Sequence, residues 1–387
     1  MPQPATHYWV ARRAIPQYID NDPTTDYWKE WWDKYKNYFG LGTAAPDLFY
    51  FPLMPKVKVK CEDFYWDGIA DIMHSTRSFD FFCNLMNAAK KSQLDLSIDT
   101  EIANRQFAFA FGFYCHVITD CIFHPYVYRS SEDHWSAKAG EFKDNPLEVI
   151  REYQHKYQEF LIDQGTCETF NLKFNRISWS CPDANNSALL DMNIAKIFND
   201  TLMDLYKDCI PYEYTIENPS HPIHQAYDAL LQTSELIFEG DVVITYKGNN
   251  ITTSGYVKEK IAKVGSALYS PNFYTEPYPN RGSLPDYTPN ELFDFSCAVA
   301  RKIFKICIKF WNSPYKNIEE FFSVDPKENI TNYLNGNWNL DTGIPCQFNN
   351  TKNLHSDNES MNLAHIDTLK ATYNYFEYLY KDLFNKE

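Results

Sequence analysis

The sequence predicts an all-α protein: a multi-helix bundle followed by a mixed C-terminal extension that contains one small β-hairpin. Three observations predict it. Apolar residues recur at three- and four-residue spacing through most of the chain. The segments with that spacing are long and start at capping residues. Only residues 241–253 have strand texture. The 387 residues can bury a large core, and 44% hydrophobic with 22% charged residues is a globular composition, unusual only in its 17% aromatics. The helical domain is expected over residues 1–240 and the extension over 241–387.

In chain order, Thr6-His7-Tyr8-Trp9 stands at the start of a first helix. Asp26 to Phe39 is an amphipathic helix rich in Trp, Tyr and Lys, which Gly40-Leu41-Gly42 is expected to break. A loop through Pro46, Pro52 and Pro55 follows, and Pro46 stiffens the turn that presents Asp47. His74 is placed in a loop between helices, and Ser78 to Lys91 is helical. Ser97-Ile98-Asp99 caps the most apolar helix, with Glu101 in its first turn. Pro125 is expected to end or kink that helix. Further helices are expected from about Pro146 to Asp163, Ala184 to Lys207, Ile223 to Phe238, Glu291 to Trp311 and Met361 to Leu383. The stretch from Asp241 to Thr253 reads as a hairpin with Lys247-Gly248-Asn249-Asn250 between its two strands, and Ser270 to Pro289 as a long irregular loop.

The formal charge of −15 argues against a general nucleic-acid binder, which needs a basic face to displace counterions. Ten cysteines without a CxxC pair read as free thiols in a reducing compartment. The first residues lack a basic segment followed by an apolar run, so no signal peptide is read and a cytoplasmic location is expected. No run of about 18 uninterrupted apolar residues is found, so no transmembrane segment is expected.

The chemistry-bearing residues gather around the apolar helix. His116, Asp120 and His124 are spaced i, i+4, i+8 and share one face. At 1.5 Å per residue, His116 and His124 stand roughly 12 Å apart, too far to hold one ion between them. Asp120, one turn from each, can bridge. His155 and Glu159 form a second i, i+4 pair, able to supply partners for His124 from a neighbouring helix. His116 and Asp120 can share an ion with Asp47 and His74, and the second oxygen of Asp120 can reach an ion held by His7. This nitrogen and oxygen donor set without cysteine suits Zn²⁺ in an open arrangement. Of the remaining residues, Asp71 is a candidate acceptor for an imidazole N–H. His134 reads as exposed, His221 and His224 as helix-start residues, and His355 and His365 as structural or exposed.

Taken in order, the set comprises an N-terminal His, an Asp in a Pro-Asp loop, a His, a His-x₃-Asp-x₃-His helix and a His-x₃-Glu helix. It resembles the zinc-dependent phospholipase C family, related in fold to the single-strand-specific S1/P1-type nucleases. The resemblance implies a phospholipase C/P1 nuclease-like bundle binding two or three zinc ions. Asp47, His74, His116 and Asp120 would hold one ion, His124, His155 and Glu159 a second, and His7 with Asp120 a third. Asp47 would act as general base. The step from Asp120 to His124 is four residues, where the secreted relatives have six. The expected activity is phosphodiester hydrolysis of a phospholipid at a membrane surface, to diacylglycerol and a phosphorylated headgroup. A single-strand nuclease or nucleotidase is the alternative enzyme, and a metal-stabilised, non-catalytic binding module the alternative from another class.

Overall fold

Described in a computed structural model are residues 4–15, 25–53, 57–59, 64–130, 159, 162–163, 166, 176–207, 215–234, 242–246, 249–253, 289–324, 338–339 and 344–345. Helix α1 (Pro4–Ala14) is followed by α2 (Thr25–Ala44), a 3₁₀ segment (Leu48–Leu53), α3 (Trp66–Ser75), α4 (Ser78–Leu94) and α5 (Thr100–Ser130). Then come α6 (Met192–Tyr206), α7 (Pro222–Ser234), α8 (Pro289–Trp311) and α9 (Ile318–Val324). The protein is all-α, as expected. Strands β1 (Val242–Tyr246) and β2 (Asn249–Thr253) form the expected hairpin, antiparallel with Tyr246 opposite Asn249. A two-residue pair, β3 (Trp338–Asn339) with β4 (Ile344–Pro345), is the other ladder among the described residues. The expected helix Met361 to Leu383 and the loop Ser270 to Pro289 lie outside the described residues, apart from Pro289 itself.

Helix α5 is the axis of the bundle, packed against α1, α2, α4, α6 and α8. Its N-terminus is capped as the sequence implies, with Asp99 Oδ1 accepting from Glu101 N at 2.9 Å. The stretch Thr100–His124 is long and apolar enough to cross a membrane by length and composition, but its part from Gln106 to His124 is buried inside the protein. One hydrophobic cluster runs from Ala5 of α1 through Phe111 of α5 to Phe304 of α8 and Phe322 of α9. Lys90 of α4, nearly fully buried, donates from Nζ to the carbonyls of Trp311 and Ser313 and so caps the C-terminal end of α8. The six described cysteines (Cys83, Cys115, Cys121, Cys181, Cys297 and Cys307) are buried.

Three local expectations are corrected. Gly40-Leu41-Gly42 does not break α2, which continues to Ala44. These glycines serve contact: a Cβ on Gly42 would lie 2.2 Å from the Phe109 carbonyl oxygen, and one on Gly112 2.3 Å from that of Phe39. The backbones of α2 and α5 therefore cross with no side chain between them. Secondly, Pro125 does not end α5, which runs on to Ser130. Burial of Val127 beyond it outweighs the one backbone bond that proline cannot donate. Thirdly, residues 184–190 are not helical. Asp183 Oδ1 accepts from the backbone N–H groups of Asn185 and Asn186, which holds a turn, and α6 starts only at Met192, where the Asp191 side chain caps Asn193 N.

The Gly42 contact has a testable sign. Helix propensity alone predicts that Gly42→Ala stabilises by up to about 1 kcal/mol. Overpacking against the Phe109 carbonyl predicts a loss of about 1–3 kcal/mol. A lowered melting temperature by circular dichroism is expected, and a raised one would refute the close crossing.

Candidate metal centre

Five elements bring their polar groups to one buried point. Helix α1 supplies His7, the turn after α2 supplies Asp47, and α3 supplies His74. His74 lies within the last turn of α3 rather than in a loop, because the apolar face formed by Ile69, Ala70 and Met73 extends that helix to Ser75. Three successive turns of α5 supply His116, Asp120 and His124, and Glu159 comes from a separate helical residue. Exposure is 0% for His7, His74, His116, Asp120 and His124, 1% for Asp47 and 4% for Glu159. His155 lies outside the described residues, as do His134, His355 and His365.

Asp120 is the hub. Its Oδ2 lies 2.8 Å from His116 Nε2 and 3.8 Å from His74 Nε2. On the other side, its Oδ1 lies 3.3 Å from His7 Nε2 and 3.8 Å from His124 Nδ1. Asp47 Oδ1 closes the first group, 2.9 Å from His74 Nε2 and 3.8 Å from His116 Nε2. His124 turns its Nε2 away from Asp120 to Glu159 Oε1, 3.2 Å distant. Ligand atoms of His74, His116 and Asp120 lie within 4.8 Å of one another, and so do those of His7, Asp47 and His116. The four-residue step from Asp120 to His124 thus keeps His124 on the face of the cluster and in reach of Glu159.

The imidazole tautomers show what the cluster is built to hold. His116 Nδ1 lies 2.8 Å from the Thr43 carbonyl oxygen, and His74 Nδ1 2.8 Å from that of Ala70. A carbonyl only accepts, so each Nδ1 carries the proton and each neutral ring aims the Nε2 lone pair at a carboxylate. Both oxygens of Asp47 and of Asp120, and Nε2 of His116, are buried and make no hydrogen bond. Lone pairs facing one another in a buried site need a cation between them. Protons cannot supply all of that charge, because the rings of His7 and His116 stack at 4.0 Å and 11°, where two imidazoliums would repel. A divalent ion held by nitrogen and oxygen donors fits, and zinc is the metal such a set favours.

The electrostatics agree. Burial opposes ionisation of Asp120, but the surrounding His116, His124 and His7 outweigh it and hold the carboxyl below the usual carboxylate range. Burial pushes His124 down to about 3, which keeps it a neutral ligand. For His116, burial works downward while Asp120 and Asp47 raise it more, so it ends above its ordinary value.

The remaining expectations sort cleanly. Asp71 does not take an imidazole proton; it accepts from the Tyr50 hydroxyl at 2.6 Å, and the carbonyl of Ala70 serves His74 instead. His221 and His224 stand at the start of α7, as read, and are structural. His221 Nδ1 accepts from Ile223 N at 3.2 Å, while His224 Nδ1 accepts from Leu190 N at 3.3 Å and its Nε2 donates to the Ile216 carbonyl at 2.7 Å. The sequence reading missed the carbonyls of Thr43 and Ala70, since backbone acceptors leave no signal in residue type. In comparisons with known proteins, a family model described as zinc dependent phospholipase C matches residues 6–207, which contain every residue named for the cluster. No curated protein and no solved structure matches the chain.

Proposed function

Since the chain belongs to the zinc-dependent phospholipase C family, we propose that it hydrolyses a phospholipid to diacylglycerol and a phosphorylated headgroup. The observation that carries this reading is the convergence of Asp47, His74, His116, His7 and His124 on the two oxygens of Asp120 in a buried site without hydrogen bonds to those oxygens. We assign Asp47, His74, His116 and Asp120 to one zinc, His124 and Glu159 with His155 to a second, and His7 with Asp120 to a third. When bound, the metals supply Lewis acidity toward the phosphoryl oxygens and make water a competent nucleophile at neutral pH.

The chain's own residues do the rest. The carbonyls of Thr43 and Ala70 fix the rings of His116 and His74, so that their Nε2 atoms stay directed into the site. Asp120 holds the two halves of the cluster at a set separation through its two oxygens. Asp47 has Oδ1 turned to His74 and His116, and Oδ2 is a buried acceptor without a hydrogen bond. That atom is suited to take the proton of the attacking water.

The test is turnover by purified protein on vesicles of phosphatidylcholine or phosphatidylethanolamine and on single-stranded DNA. Release of diacylglycerol is expected, and Asp47→Asn is expected to lower kcat by about 10²–10⁴-fold. Cleavage of DNA alone would replace the lipid reading with the nuclease one. Full activity in Asp47→Asn would remove its role as base.

A further inference from the structure

The first turn of α1 carries no acidic residue of its own, yet its N–H groups need acceptors. They find one far along the chain. Asp163 Oδ2 accepts from Ala5 N at 2.9 Å, and Oδ1 accepts from Thr6 N at 2.7 Å and from the Thr6 hydroxyl at 2.5 Å. All of these groups are buried, and Thr166 Oγ1 lies 3.1 Å from the Thr6 hydroxyl on the far side. The next residue after Thr6 is His7. Asp163 is also four residues beyond Glu159, and 159, 162, 163 and 166 are all helical. One helical face therefore presents Glu159 to His124 and, a turn later, a carboxylate to the N-terminus of the helix that bears His7.

From this geometry we infer that Asp163 is a positioning residue for the His7 corner of the cluster. It clamps two consecutive N–H groups bidentately, which fixes both the height and the rotation of the first turn of α1. The direction in which His7 leaves that turn sets the 3.3 Å approach of its Nε2 to Asp120 Oδ1. The arrangement links the half of the site served by Glu159 to the half served by His7 without sharing a metal ligand. The inference rests on the cluster being a zinc site, as in the function proposed above, and not on the identity of the substrate.

The experiment is a double-mutant cycle of Asp163→Ala with His7→Ala, read by zinc content and by zinc affinity in competition with a chelator. The expected loss of zinc affinity for Asp163→Ala is about 10–100-fold. Because both changes disable one corner, the double variant is expected to be little worse than His7→Ala alone. Asp163→Asn, which keeps one acceptor oxygen, is expected to recover part of the loss, and Thr6→Val to show a smaller loss in a protein that still folds. Fully additive effects, or unchanged zinc affinity in both Asp163→Ala and Thr6→Val, would overturn the inference. If Asp163→Ala does not fold, Thr6→Val and Asp163→Asn decide it in the same assay. Since the readout is metal binding, a protein that binds zinc in this pattern but does not cleave lipid would sink the substrate proposal and leave this one standing.

Discussion

Asp120→Asn is expected to lower the rate of phosphodiester hydrolysis by about 10³-fold or more and to destabilise the metal-free protein as well. The two halves of this expectation come from one geometry. Among the described residues, the two oxygens of Asp120 face different imidazole groups, His116 and His74 on one side and His7 and His124 on the other. Its loss removes a ligand from both sides at once. Without metal, the same carboxylate is a fully buried charge that His116, His124 and His7 favour by more than its burial costs, so its removal takes a net stabilising charge from the folded state. An amide of the same shape keeps the volume and can hydrogen-bond the facing rings, which limits the loss. Metal analysis, turnover and chelator-treated melting curves on the same preparation check both halves. A variant that keeps its zinc and its turnover would refute the bridging role, and one as stable as the parent in chelator would refute the stability argument.

Zinc removal from the parent protein is the second large effect. A ligand bound only by the folded state stabilises by about 4 kcal/mol at a thousand times its dissociation constant. Dialysis against a strong chelator is therefore expected to lower the melting temperature by on the order of 5–15 °C, restored by adding zinc. The metal-free protein should also become acid-sensitive in a defined direction. Burial pushes His124 down to about 3 and His221 down to about 4. The unfolded chain takes up protons at these residues near pH 6.5 while the folded one does not, so stability falls as pH drops from about 6.5. His116, raised above its ordinary value, and Asp163, pushed up to about 7 by burial, work the other way and reduce the slope. Scanning calorimetry across pH with and without zinc measures both. A melting temperature indifferent to chelator would leave the cluster without a metal to hold.

Much of this site was legible in the sequence because helical spacing converts directly into direction. His116, Asp120 and His124 share one face for the same reason in the sequence as in the structure, and Asp120 falls between the other two because it is one turn from each. Asp163 extends the same spacing, lying four residues after Glu159, but a lone Asp at that spacing carries no sign of what it meets. What it meets is the start of α1, and only folding brings residues 5 and 163 together.

The glycines and prolines show the opposite case. Local chemistry assigns Gly40 and Gly42 to a break and Pro125 to a helix end, and both helices run through. The preferences involved are worth about 1–3 kcal/mol each, less than the burial these helices gain by packing into the core. Composition and periodicity by themselves determined that the chain is helical and that His116, Asp120 and His124 share one helical face. Tertiary structure alone decided where helices end, which carbonyls fix the imidazoles and which distant carboxylate holds His7 in place. Such choices depend on groups far apart in sequence, and no local pattern encodes their meeting.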